Sequence, residues 1–198
     1  MAINLSSLLF TNQADIVPLQ GVVDSIINFG IVNTLDGNDK ITGTGTDTGT
    51  GFFSGVGIYN AGTINTGADN DTITGTGSGT GYGIYNPGTI DTGAGFDIVD
   101  ARAGGFGGNG TIRLGADNDF IKGFGSGNFF GGTGTDRLEL TAGTYTVGIS
   151  GSVTSFTRNG ITMNTSEFEL LVVGLGFNSK ALYGFSTLTN GRTITVVA

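Results

Sequence analysis

The chain has 198 residues, 39 of them glycine and only 2 proline, with hydrophobic residues at 37%; this excludes a collagen repeat and a proline-driven disordered chain, and leaves room for one domain of ordinary size or a short solenoid with caps. Cys, His and Trp are absent, which removes disulfides, thiolate nucleophiles, zinc held through Cys or His, and Ser-His-Asp or Cys-His catalysis. The formal charge of −8 is concentrated between Gly30 and Leu140, and such a polyanionic surface repels nucleic acid and anionic lipid while attracting cations.

The first segment, residues 1–29, is expected to supply capping strands. Its runs LSSLLF and IVPLQGVVDSIINFG are rich in β-branched and apolar residues, and the open end of a stack of strands needs either a cap or a partner. Met1 to Phe10 has no basic stretch and only a short apolar run, so it does not read as a classical signal peptide. No transmembrane segment is expected, because no run is long and apolar enough to span a bilayer.

Residues 30–140 are internally repetitive. Aligned on Gly30, Gly62, Gly88 and Gly110, the sequence reads GIVNTLDGNDKITG, GTINTGADNDTITG, GTIDTGAGFDIVDA and GTIRLGADNDFIKG without a gap, and a weaker copy starts at Gly127. An Asp falls nine residues after each leading Gly: Asp39, Asp71, Asp97, Asp119 and Asp136. Apolar columns run through Val32, Ile64, Ile90, Ile112 and Phe129, through Ile41, Ile73, Val99, Ile121 and Leu138, and through Ile26, Ile58, Ile84 and Phe106. No single coil could bury such a face alone, whereas stacked coils bury it against one another. The intervals between copies shorten along the chain, and all of the shortening lies in the Gly/Thr/Ser-rich returns, which predicts a tapering cross-section.

Between the first two columns the turns read LDGND, GADND, GAGFD, GADND and GTGTD. They resemble the nonapeptide G-G-x-G-x-D-x-U-x of the RTX (hemolysin-type calcium-binding repeat) family, whose repeats fold as a parallel β-roll with calcium in its turns. GGTGTDRLE, residues 131–139, matches at every position; the other copies keep the Asp and the apolar U but carry Thr or Leu at the first Gly. The resemblance implies an all-β, right-handed parallel β-roll or β-solenoid of about five tapering coils. It also implies calcium held by the repeat aspartates, with Asp69 and Asp117 two residues before, and Asp36 three before, adding a second carboxylate in three turns. The expected metal residues are therefore Asp36, Asp39, Asp69, Asp71, Asp97, Asp117, Asp119 and Asp136. One Asp-Gly turn specifies only a turn; five in register with apolar partners specify more.

The opposite edge lacks the carboxylate that a full family repeat would place there. Asn28, Asn60 and Asn86 stand two residues before the leading Gly, so this edge is expected to be lined by asparagine, as turn residues or an amide ladder and not as ligands. Tyr59 and Tyr85 read as packing residues. Lys40, Arg102, Arg113, Lys122 and Arg137 read as solvated outward positions.

Residues 141–198 lose the Asp period and read as antiparallel strands, with Asn-Gly hairpin signals at Asn159-Gly160 and Asn190-Gly191. They are expected to form a C-terminal β cap, an assembly surface and, by similarity to type I secretion substrates, an uncleaved export signal. The functional expectation is a secreted, calcium-binding structural protein of the cell surface or extracellular matrix, self-associating into a homopolymer and without enzyme activity. The alternative is a calcium-dependent ice- or ligand-binding roll, suggested by TGTGTDTGTG.

Overall fold

The computed structural model describes residues 2–17, 25–46, 54–176 and 179–197. Among them there is no α-helix, only two short 3-10 turns, Leu5–Ser7 and Phe185–Thr187. The strands form three sheets. The first, of five parallel strands, runs Ile3–Asn4, Ile26–Asn28, Ile58–Asn60, Ile84–Tyr85, Phe106–Gly107. From Ile26 to Lys122 the chain visits the three sheets in the same order repeatedly. After Ile26–Asn28 it crosses to Ile31–Asn33 in the second sheet and Lys40–Thr44 in the third, then returns to Ile58–Asn60. Each strand pairs parallel with its counterpart in the next pass, consistent with a β-solenoid-like fold.

The apolar columns give the reason for this register. Ile26 lies opposite Ile58 and Ile58 opposite Ile84. Val32, Ile64, Ile90, Ile112 and Phe129 follow one another in the second sheet, and Ile41, Ile73, Val99, Ile121 and Leu138 in the third. All of these are buried and belong to one core. Each fully buried Val, Ile, Leu or Phe contributes about 1.5–3 kcal/mol, and a slip by one residue would turn a whole column outward.

The last shortening, into the copy at Gly127, has a structural cause. The last copy passes from Phe120–Lys122 directly to Gly127–Thr133 in the second sheet, and the first sheet ends at Phe106–Gly107, with only a bridge from Phe106 to Gly125 beyond it. The long early return includes residues 47–53, which lie outside the described residues, as do 18–24 of the N-terminal segment.

The C-terminal region departs from a purely antiparallel expectation. Gly143–Ser150, Val153–Arg158 and Ile161–Ser166 are antiparallel to one another, as are Leu170–Gly176 and Ser179–Gly184. Yet Ile161–Ser166 pairs parallel with Gly127–Thr133, and Leu170–Gly176 pairs parallel with Arg137–Glu139. The segment therefore extends the parallel stack before folding back. Leu171, opposite Leu138, continues the apolar column of the third sheet. At the other end, Ile16–Val17 pairs parallel with Lys40–Thr44, placing Val17 opposite Ile41.

Candidate functional site

The turn between the second and third sheets is built from five residues with a repeating backbone. Its first position has positive φ in every copy: Leu35 (77°), Gly67 (100°), Gly93 (96°), Gly115 (106°) and Gly132 (106°). A Cβ on Gly93 would run into the carbonyl of Gly67 in the preceding pass, so glycine is required wherever another turn is stacked on that side. Leu35 occupies the same place in the outermost repeat turn and is exposed. The third position is also left-handed, at Gly37, Asp69, Gly95, Asp117 and Gly134.

The fifth position is the repeat aspartate. Asp39, Asp71, Asp97, Asp119 and Asp136 are all buried, between 0 and 3% exposed, and are joined into one ladder. The backbone N–H of Asp39 donates to Oδ1 of Asp71 (2.7 Å), that of Asp71 to Oδ1 of Asp97 (2.7 Å), that of Asp97 to Oδ1 of Asp119 (2.8 Å) and that of Asp119 to Oδ1 of Asp136 (2.8 Å). One oxygen of each carboxylate thus carries the turn-to-turn contact. The other, Oδ2, is buried without a hydrogen-bond partner among the described residues in all five.

The adjoining ladder sharpens that deficit. Thr34, Thr66 and Thr92, which stand where the family nonapeptide has its first Gly, are buried, and their side chains neighbour Asp39, Asp71 and Asp97. A hydroxyl has one proton to give. Here the three hydroxyls donate it to the carbonyls of Thr66 (2.9 Å), Thr92 (3.1 Å) and Leu114 (2.8 Å) of the next pass, so that proton is already committed and is not free for the neighbouring carboxylates.

Burial consequently disfavours the charged carboxylates. It pushes Asp71 and Asp119 up to about 7 and Asp97 and Asp136 up to about 6, and raises Asp39 above its ordinary 3.8. Repulsion between acids of neighbouring turns adds to the shift. Parallel strands lie about 4.8 Å apart, so ionised rungs at that spacing need a positive charge among them.

Two further rungs lack the leading-Gly signature. Asp15 precedes the strand paired with Lys40–Thr44, and its N–H donates to Oδ1 of Asp39 (2.7 Å). Its own Oδ2 accepts the N–H of Thr11 (2.8 Å). At the far end Glu169 stands opposite Asp136, whose N–H donates to Glu169 Oε2 (2.6 Å). Both segments show an acid, one residue, then an apolar core position, as in Asp15-Ile16-Val17 and Glu169-Leu170-Leu171; that local pattern was the available signal.

Asp36, Asp69 and Asp117 are not part of the ladder. All three are exposed. Asp36 is in bridge register with Ala68, not with Asp69, and Asp69 and Asp117 occupy left-handed positions in turns separated by that of Gly95. Among the described residues no three acidic side chains converge on one point; the ladder offers one buried carboxylate per turn. Several turn carbonyls already accept amides from neighbouring passes, as Leu35 does from Ala68 and Gly67 from Ala94. The donor set is nonetheless all oxygen, with an orphaned carboxylate oxygen in every repeat turn, and in that respect it fits calcium, a hard ion that takes carboxylate and carbonyl ligands.

The opposite edge is closed. Asn28 Nδ2 donates to Asn60 Oδ1 (2.8 Å) and Asn60 Nδ2 to Asn86 Oδ1 (2.8 Å). The same amides also donate to the carbonyls of Thr63, Thr89 and Thr111. Outside this edge Tyr59 stacks on Tyr85 with ring centroids 5.6 Å apart.

No protein-family model matches the chain, and no curated protein or solved structure is detectably similar to it. Among the described residues no helix is long and apolar enough to cross a membrane.

Proposed function

We propose that this chain is a secreted, calcium-binding structural protein of the cell surface or extracellular matrix, folded as a right-handed parallel β-roll of about five tapering coils and related to the RTX-like repeat class. The observation that carries the proposal is the row of five buried aspartates, each with one oxygen committed to its neighbour and the other unpaired. Asp39, Asp71, Asp97, Asp119 and Asp136 would hold the calcium, with Asp36, Asp69 and Asp117 adding negative charge on the exposed side of the same turns. Bound calcium supplies the positive charge that lets buried carboxylates remain ionised; each site adds about 2.7 kcal/mol at a hundredfold excess over its dissociation constant. Folding would then be driven by calcium, with a chain only weakly stable in a calcium-poor compartment and firmly ordered outside it.

Self-association is part of the proposal. Among the described residues Ile31–Asn33 is an edge strand of the second sheet, and Ile31 (75% exposed) and the flanking Phe29 and Leu35 are exposed apolar side chains on or beside it. An edge with that composition is suited to pairing with a second copy. Circular dichroism with calcium titration and chelator reversal, followed by gel filtration and negative-stain imaging, tests both parts. Calcium-driven β signal and growth of particles are expected. Monomers alone at high concentration would remove the polymer and keep the roll.

Ice or ligand binding by a threonine face is the second proposal. Thr63, Thr89 and Thr111 follow one another in register on the second sheet, but Ile31 and Asn128 stand at the two ends of that column. Much of TGTGTDTGTG lies outside the described residues. Thermal hysteresis in calcium decides this; its absence retires the proposal.

A further inference from the structure

Where the first sheet stops at Phe106–Gly107, a cavity of about 430 Å3 opens, lined by Tyr82, Arg102, Phe124, Arg158 and Ile161 together with bare glycine backbone. No Asp or Glu lines it, on a chain whose net charge is −8. Its two cations differ. Arg102 is already matched: its Nη2 and Nε bind Asp100 at 2.7 and 3.1 Å, and its Nη1 lies 3.9 Å from Glu139.

Arg158 has no carboxylate partner among the described residues. It is held by neutral groups instead: Nη1 donates to the Ala142 carbonyl (2.6 Å) and to the Tyr145 hydroxyl (2.9 Å), and the guanidinium lies over the rings of Phe124 (4.7 Å) and Tyr145 (5.0 Å). These contacts fix the plane of the guanidinium, while among the described residues its hydrogen bonds leave from Nη1 alone. A preorganised, uncompensated guanidinium is a receptor for a carboxylate, which it can meet through two parallel hydrogen bonds.

Tyr82 supplies a second element. A Cβ on Gly107 would meet the Tyr82 ring, so the absence of a side chain there lets the ring lie against the end of the sheet. Tyr82 leans on Tyr85 (5.3 Å between centroids) and remains 37% exposed. An exposed ring, an apolar flank in Ile161 and a waiting guanidinium in one cavity of ligand size select for a ring, aromatic or saturated, that offers a face to Tyr82 and carries one carboxylate.

The geometry points to this cavity as a binding site for a ring-bearing carboxylate, with the carboxylate on Arg158 and the ring on Tyr82. An acidic sugar unit and an aromatic acid share that chemistry. Titration of the full chain at saturating calcium with glucuronate, benzoate and glucose, followed by calorimetry or NMR, separates them. Saturable binding of one or both acids and not of glucose is expected: glucuronate alone identifies the sugar source, benzoate alone the aromatic acid, and both a general ring carboxylate. Arg158→Gln should weaken binding by about tenfold or more, Arg158→Lys less. Tyr82→Ala leaves the anchors of Arg158 in place and should also weaken binding, which keeps the test open if Arg158→Gln fails to fold. Lack of binding by both acids, or unchanged affinity in a folded Arg158→Gln or Tyr82→Ala variant, overturns the assignment. Because the readout is taken with calcium saturating, its failure leaves the calcium proposal standing.

Discussion

Two polar ladders run inside this protein, and they end in opposite electrostatic states. At the asparagine edge each amide carries both a donor and an acceptor, so Asn28, Asn60 and Asn86 satisfy one another and the neighbouring carbonyls. At the aspartate edge each side chain is an acceptor only. One oxygen finds the amide of the adjacent turn; the other finds nothing and is buried. The same strand spacing therefore yields a closed structural seam on one side and, on the other, a row that is complete only when a proton or a cation joins it.

The largest difference should appear with pH in the presence of chelator. Burial raises the carboxyls of the repeat aspartates above their unfolded value of 3.8, to about 6 for Asp97 and Asp136 and about 7 for Asp71 and Asp119. The folded state then holds more protons than the unfolded state between these limits, so stability is full below about pH 4 and falls as pH rises through 6 to 7. In EDTA the thermal midpoint should be far higher at pH 4.5 than at pH 8, by free energies on the order of several kcal/mol. Calcium should erase most of that slope. A midpoint independent of pH in EDTA would remove the distinction between the edges.

Next in size is the closed seam. Asn60→Ala removes the central amide, takes one of its acceptors from Asn28 and the side-chain donor from Asn86 Oδ1 and the Thr89 carbonyl, and should cost roughly 2–4 kcal/mol for buried contacts of 1–3 kcal/mol each, less some relaxation. That loss, measured by urea unfolding, should be equal in calcium and in chelator. A loss that grew on removing calcium would mean the two edges are coupled. The smallest effect belongs to Asp69→Asn, an exposed position, which should move stability by less than about 0.5 kcal/mol in chelator while slightly weakening calcium binding.

The sequence carried the architecture well where the physics is periodic. Gly30, Gly62, Gly88 and Gly110 set the register, and the Ile and Val columns stated which face is buried, because each coil repeats the same constraints at the same offsets from its leading glycine. It carried the ends poorly. Asp15 and Glu169 stand in the same ladder, but their turns differ in length from the repeat, so an alignment on leading glycines passes over them. Parallel pairing of Ile161–Ser166 and Leu170–Gly176 was hidden for the same reason, since Asn-Gly hairpins nearby speak only for local antiparallel partners. The pattern set Asp71 in the five-member column and Asp69 outside it, but not their burial: a two-residue offset across a left-handed position leaves Asp69 exposed and Asp71 1% exposed. The Thr that replaces the first Gly of the nonapeptide reads as a mismatch in sequence, and in the structure it is a buried hydroxyl that ties one pass to the next through a backbone carbonyl.

The sharpest measurement is the thermal midpoint of Asp97→Asn beside that of the unaltered chain, in EDTA at pH 8 and again in millimolar calcium. Asparagine keeps the oxygen that receives the Asp71 amide and replaces the unpaired anionic oxygen with a neutral donor. A ladder frustrated by its own charge predicts the variant to be more stable than the unaltered chain without calcium, and to gain less when calcium is added. A variant that is less stable in EDTA, or that gains as much from calcium, would contradict a buried carboxylate row waiting for a cation.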